Sequence, residues 1–264
     1  MEGMEHRLNG RHALVGGASK GIGRAAAMAL AERGARVTLV SRDEVALTAV
    51  RDELPAPADG GHSVLAADLG APDTWVDRMR AHIEAHPVHI VVNNAGGPAA
   101  GPLVEADPTD FQAAFAIHVL AAQRIAAQVL PGMRAAGYGR FINVISTSVK
   151  APIPGLGVSN TIRGAMASWA KTLAGEAGPD GITVNNVLPG FTDTGRLRSL
   201  IAAKAERQGL TEDQVADAMR SAVPLRRFAR PEETAAAIAF LASPAASYIN
   251  GINLPVDGGR LASL

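Results

Sequence analysis

A regular rhythm runs through this chain and narrows its possible folds to a few. Short apolar or β-branched runs at 12–16 (HALVG), 36–40 (RVTLV), 63–67 (SVLAA), 88–92 (VHIVV), 140–145 (RFINVI), 182–188 (ITVNNVL) and 252–256 (INLPV) alternate with longer, alanine-rich helical patterns. Those patterns cover 21–33, 43–53, 73–86, 109–136, 159–177 and 231–242. Parallel strands need a crossover long enough to carry a helix, so the alternation predicts βαβ units wound around a parallel sheet. Pro72, Pro87, Pro108, Pro179 and Pro231 fall at helix edges, where a missing N–H does least harm.

With 264 residues, 47% of them hydrophobic and 19% charged, one domain spanning 1–264 can bury a large core without disulfides or metals. The segment 193–223 breaks the rhythm. It is helical, polar and placed after the sixth strand, which suits a lid over a ligand and equally a surface helical hairpin, and its Arg196 and Arg198 suit an acidic substrate or a carrier-bound phosphopantetheine, or a solvated surface. Lys+Arg and Asp+Glu are equal at 25 each, so there is no basic excess to draw nucleic acid or an anionic membrane, and a small-molecule partner is expected. The absence of cysteine excludes thiolate catalysis and Cys-ligated metals, and fits a reducing compartment, with the cytoplasm as the expectation. The start, MEGMEHRLNGRHALVGG, mixes charges before its first apolar run, and the runs read as shorter than the ~18 apolar residues of a membrane span, so neither a signal peptide nor an anchor is expected.

Residues 14–24, LVGGASKGIGR, carry the first chemistry. Gly17, Gly21 and Gly23 form a G-x-x-x-G-x-G loop between a strand and a helix, with Ser19, Lys20 and Ile22 between them. Glycines let the backbone turn sharply and approach a phosphate, and the helix N-terminus offers it free N–H groups and partial positive charge. An NAD site usually places an acid at the end of the second strand, some ~20 residues on, for the ribose hydroxyls. Ser41 and Arg42 stand there instead. A guanidinium suits a 2′-phosphate and Lys20 adds a second cation, so NADP(H) is favoured over NAD(H), although Asp43 remains within reach of a ribose.

The glycine loop, Asp68-Leu69 after the third strand, NNAG at 93–96, PGFTDT at 189–194 and ASYINGINLPVDGG at 246–259 together resemble the classical short-chain dehydrogenases/reductases. Within them the likeness is to the β-ketoacyl carrier-protein reductase-like branch, and it spans about 8–260. The resemblance implies a doubly wound, seven-stranded Rossmann sheet with helices on both faces and a dinucleotide across the carboxyl ends of the strands. It implies Asp68 and Leu69 beside the adenine, Asn94, Ala95 and Gly96 along the nicotinamide-side ribose, and Pro189, Gly190, Thr192 and Thr194 at the nicotinamide amide. Plainer roles stay open: Asp68 as a turn cap, Asn93–Asn94 as a strand-end brace, Pro189–Gly190 as a turn. A homo-oligomer, tetramer or dimer, is also implied.

The same family uses a tyrosine, a lysine four residues later, a serine thirteen residues earlier and an asparagine on the preceding long helix. Laid on this sequence, Ser146 keeps the serine position, while Ser159, Arg163 and His118 occupy the other three. Ser159 and Arg163 share a helix face, Arg163 also serving as a cofactor-ribose candidate, and a guanidinium can hold an oxyanion but does not readily cycle a proton. His118 has the side chain best suited to proton transfer near neutrality and is expected to supply the proton, a structural histidine being the plainer alternative. Tyr138 and Tyr248 lie away from strand carboxyl ends, and HIEAHPVH at 82–89 has metal-like spacing without an acidic partner; no metal site is assigned.

Two functions follow. The first is an NADP(H)-dependent oxidoreductase acting on a carbonyl or secondary alcohol, free or acyl-carrier-bound, with altered proton-transfer residues. The second keeps the fold and cofactor but not the redox step, as a nucleotide-sensing partner or a lyase or isomerase.

Overall fold

The computed structural model describes residues 6–263, so Met1–Glu5, part of the N-terminal reading above, lie outside the described residues. Seven strands form one sheet: β1 His12–Gly16, β2 Arg36–Ser41, β3 Ser63–Ala66, β4 Ile90–Asn93, β5 Gly139–Val144, β6 Ile182–Pro189 and β7 Asn253–Val256. Their order is β3-β2-β1-β4-β5-β6-β7 and every pairing is parallel. The chain winds outward from β1 to β3, then returns to place β4 against β1. That reversal opens a crevice at the carboxyl ends of β1 and β4, the usual ligand position in such sheets.

The strands read as continuous apolar runs because both faces are covered. Along β1, Ala13 and Val15 join one core with α1 (Gly21–Ala31), α2 (Glu44–Glu53) and α9 (Pro231–Ala242), while Leu14 between them points into the other. Along β5, Ile142 and Val144 take the first face and Phe141 the second, with α3 (Val76–Ala85), α5 (Ala121–Ala136) and α6 (Gly157–Ala177). This is the period-2 alternation of a strand, spent twice. Phe141 is fully buried, and its truncation to Ala is expected to cost ~3–5 kcal/mol.

An asparagine ladder pins the register of the carboxyl half. Asn93 donates to Asn143 (2.8 Å), Asn143 to Asn186 (2.8 Å) and Asn186 to Asn253 (2.8 Å), each pair being directly opposed in the sheet. A one-residue slip would leave these buried amides facing aliphatic neighbours at ~1–3 kcal/mol each.

The long helix expected over 109–136 runs from Pro108 to Ala136, but as α4 (Pro108–Phe115), a π-turn (Ala116–Leu120) and α5. The wider turn buries His118 and Val119. This helix also corrects the membrane reading, since by length and composition it is apolar enough to cross a bilayer. In the fold it packs against α3, α6 and β5, its small apolar residues forming core. The 193–223 segment forms α7 (Gly195–Gln208) and α8 (Glu212–Ser221) around a small core of their own, Leu197, Ile201, Val215 and Met219 with Phe191 and Phe228 packed on it.

Candidate active site

At the crevice, β1 runs into the glycine loop. Gly17 and Gly21 adopt φ of +58° and +57°, a region disfavoured for side-chain-bearing residues. A Cβ on Gly23 would stand 2.2 Å from the Gly17 carbonyl oxygen, so only glycine fits. The loop is braced from β4, where Asn94 Nδ2 donates to the Gly16 carbonyl (3.1 Å), and from the far side by Thr194, whose methyl lies 3.2 Å from where a Gly21 Cβ would be. Lys20 begins α1 without a side-chain cap, and no acid stands in the first turn, whereas Asp43, Asp107, Thr194 and Thr211 cap α2, α4, α7 and α8. Tight glycine packing beneath an uncapped helix N-terminus fits a phosphate-bearing group. Ser19 and Ile22 are half-buried around it and Lys20 is exposed.

At the end of β2, Ser41 Oγ accepts from the Asp43 N–H (3.3 Å), while the Asp43 carboxylate accepts from the Ala46 N–H (3.0 Å) as the α2 cap. That carboxylate is engaged in the helix, and Arg42 beside it is exposed with no hydrogen bond among the described residues. Asp68 accepts from the Gly70 N–H (3.0 Å), closing its own turn. Leu69, Asn94, Ala95, His118 and Arg163 help line one small pocket of about 30 Å³, room for a water. Gly96 has open space above it.

On the other side of the crevice, Pro189 ends β6, and Gly190 donates to the Val256 carbonyl (2.9 Å); a Cβ on Gly190 would stand 2.6 Å from Asp257 Cα. Thr192 is buried and bonds the Gly190 carbonyl (3.4 Å), and Thr194 bonds the Thr192 carbonyl (3.3 Å) while capping α7.

Ser146 follows β5. Its Oγ accepts from the Ser148 N–H (3.0 Å), which leaves its own hydrogen free to donate. Arg163, on α6, is buried; its Nη1 donates to the Val144 carbonyl (3.0 Å) and approaches His118 Nδ1 at 3.5 Å. Ser159, one turn earlier on the same helix, is half-buried and makes no side-chain hydrogen bond among the described residues. Arg163 and His118 are thus brought into contact, with Ser146 just beyond the strand end that Arg163 grips.

Burial, then repulsion from Arg196, lowers Arg163 to about 10, so it stays cationic near neutrality. Burial, then the Arg163 charge, pushes His118 down to about 3, weakly opposed by the Gly96 carbonyl. The ring is therefore neutral. A guanidinium only donates, so Nδ1 is the acceptor and Nε2 carries the hydrogen, and that Nε2 is buried without a partner. The expectation that His118 supplies the proton meets a physical obstacle here: an imidazolium at this position is unstable above about pH 3.

Two contacts were invisible in the sequence. Asn160 clamps the 151–156 loop by bonding both the N–H (3.3 Å) and the carbonyl (2.9 Å) of Ile153. Arg196 reaches from α7 to the Pro98 carbonyl (2.5 Å). Neither has a short-range signal, since each depends on a partner brought in by the fold. Tyr138 is buried at the amino end of β5, its hydroxyl donating to the Ala242 carbonyl (2.6 Å), and Tyr248 is fully exposed. His82 and His86 engage Thr38 and Arg36, and no group of three or more metal-ligating side chains converges among the described residues.

Residues 17–260 match a protein family described as enoyl-(acyl carrier protein) reductase. The chain is 34% identical over 255 residues to the 3-oxoacyl-[acyl-carrier-protein] reductase FabG of Vibrio cholerae, covering 96% of this chain and 98% of that one. It is 33% identical over 261 residues to the L-xylulose reductase of Bos taurus, covering 98% and 100%. Among solved structures, the L-sorbose reductase of Gluconobacter frateurii complexed with NADPH and L-sorbose superposes with a TM-score of 0.89 at 30% identity, covering 99% of this chain and 100% of that one.

Proposed function

The chain belongs to the classical short-chain dehydrogenase/reductase family, and from that premise we propose that it is an NADP(H)-dependent oxidoreductase acting on a carbonyl compound or the corresponding secondary alcohol. The observation that carries this reading is the glycine loop, closed to any side chain and set under an uncapped helix N-terminus between Asn94 and Thr194. Gly17, Ser19, Lys20, Gly21, Ile22 and Gly23 would hold the dinucleotide's phosphates, with Ser41, Arg42, Asp68 and Leu69 on the adenosine side. Asn94, Ala95, Gly96 and Arg163 would take the nicotinamide-side ribose, and Pro189, Gly190, Thr192 and Thr194 the nicotinamide. Arg42 carries the preference for a 2′-phosphate, since the neighbouring carboxylate of Asp43 is committed to its helix. When bound, the cofactor supplies or accepts a hydride.

The protein's own part is to hold the substrate oxygen. Ser146 donates its free hydroxyl hydrogen to that oxygen, and the Arg163 guanidinium stabilises the negative charge that develops on it. The proton comes from water, relayed by the Ser159 hydroxyl on the same helix face. His118 accepts from Arg163 and positions it, a role that a neutral ring can fill and an imidazolium cannot. On this reading Ser159, Arg163 and His118 stand where relatives carry tyrosine, lysine and asparagine, and α7 with α8 acts as the lid. The half-buried β7 and the exposed Phe115 and Leu120 on the long helix support assembly into a homo-oligomer.

Fluorescence titration with NADPH and NADH, followed by NADPH oxidation against a panel of free and carrier-bound carbonyl substrates, tests the reading. Tighter binding of NADPH and turnover of at least one carbonyl are expected. NADPH binding with no oxidation across the panel would favour a redox-inactive protein on the same fold, and no binding of either dinucleotide would remove the proposal.

A further inference from the structure

Gly97, in the loop after β4, stands between two guanidinium groups. A Cβ built there would lie 3.7 Å from Nη2 of Arg163 and 3.6 Å from Nη2 of Arg196, so both cations border one small space. They arrive from different helices: Arg163 is buried on α6, and Arg196 comes from the exposed first turn of α7, held by the Pro98 carbonyl. Neither joins any ion pair among the described residues, and Nη2 of Arg163 makes no hydrogen bond there. Arg260, lying 4.3 Å over the Phe191 ring, donates at 3.3 Å to Oγ1 of Thr147, the residue after Ser146.

A buried cation without a counter-ion is costly, and two that share one space repel each other as well. The lowering of Arg163, caused by burial and then by Arg196, expresses that cost. An anion seated between them relieves both terms, and a two-oxygen group can take a hydrogen bond from each guanidinium. We propose that the substrate of this cleft is a carboxylate-bearing carbonyl compound or its hydroxy acid, with the carboxylate held between Arg163 and Arg196 at Gly97. The proposal rests on the oxidoreductase reading for the carbonyl, and on the arginine pair alone for the carboxylate. It makes Arg196 a specificity residue carried by α7, so closure of that helix and recognition of the acid become one event.

The test compares the wild type with Arg196→Gln and Arg196→Lys in three measurements. Calorimetry reads the binding of propionate and of inorganic phosphate, with and without NADPH. Fluorescence reads NADPH binding. Initial rates read kcat/KM for oxo acids of increasing length, each beside its methyl ester. Propionate should bind the wild type and weaken by about 10- to 100-fold in Arg196→Gln, the span expected for a charge-assisted hydrogen bond, with partial recovery in Arg196→Lys. Oxo acids should be preferred over their esters in the wild type and lose that preference in Arg196→Gln, while NADPH affinity changes by less than about 3-fold.

The proposal is overturned if propionate binding ignores Arg196, if phosphate outcompetes propionate, or if acids and esters are turned over equally. A parallel loss of NADPH affinity in Arg196→Gln also overturns it, since the arginine would then serve the cofactor. Absence of NADPH binding sinks the oxidoreductase reading instead, and the propionate titration of the protein alone still decides the arginine pair.

Discussion

Two histidines are buried at opposite ends of one sheet, and their surroundings treat them in opposite ways. At the amino ends of the strands, His12 Nδ1 faces the carbonyls of His86 (3.1 Å) and Pro87 (3.2 Å), so it carries the hydrogen. Nε2 then accepts from the Thr38 hydroxyl (2.7 Å), which is left to accept from His82 Nε2 (2.8 Å) and Ser63 Oγ (2.8 Å). Every member is satisfied by one assignment of hydrogens. At the carboxyl ends, His118 is equally buried and also neutral, yet its Nε2 has no partner and the arginine beside it has no counter-ion. Folding alone gains nothing from such orphans. The unpartnered ring and the uncompensated arginine at the carboxyl end stand where a ligand would complete them, whereas the ring of His12 is completed by the protein's own groups.

The largest expected effect comes from Arg163. If it serves the ligand, Arg163→Met should reduce kcat/KM by ~10²–10⁴ while leaving Tm unchanged or slightly raised, because an unpaired buried charge is exchanged for a well-sized apolar side chain. Thermal unfolding and initial rates on the same preparation check this. A clear fall in Tm alongside the loss of rate would show that its bond to Val144 is chiefly structural and would blur the contrast between the two ends.

The mirror experiment is His12→Leu. It removes the donor to two carbonyls and one of the three partners of the Thr38 hydroxyl, at an expected ~2–4 kcal/mol of stability, with NADPH affinity unchanged. The same network sets a pH dependence. Burial, then Arg36, lowers His12 to about 4 from its ordinary 6.5, so the unfolded chain takes up the proton first as pH falls. The stability contributed by the neutral ring is complete above about pH 6.5 and is lost as pH drops towards about 4. Burial shifts His82 and His89 the same way. Denaturant midpoints measured from neutral to mildly acid pH should fall in the wild type and fall less steeply in His12→Leu; parallel curves would mean that His12 is not neutral in the fold.

These contrasts also explain what could be read beforehand. The strands were legible to within two residues because an interior parallel strand must be apolar on both sides, which no loop imitates for long. Gly17, Gly21 and Gly23 were legible because positive φ and a 2.2 Å approach admit nothing else. The spacing of Ser159 and Arg163 fixed a shared helix face from the sequence alone. The protonation of His118 was not legible, since it depends on burial produced by a π-turn whose single extra residue leaves no periodic trace. The asparagine ladder escaped for a similar reason: four separated asparagines mean nothing until the register aligns them.

The smallest effects test the division at the scale of neighbouring residues. Arg42 has no internal partner, so Arg42→Ser should leave Tm unchanged and weaken NADPH relative to NADH by about 10-fold, the worth of one exposed charge-assisted contact. Asp43 is spent on the α2 cap, so Asp43→Ala should cost ~1 kcal/mol of stability and leave both dinucleotide affinities alone. Adjacent side chains would then divide as the two ends of the sheet do, one serving the ligand and the other the fold. A gain or loss of NADH affinity in Asp43→Ala would show instead that this carboxylate leaves its cap to reach the ribose, and the preference for the phosphorylated cofactor would have to be reassigned to Lys20.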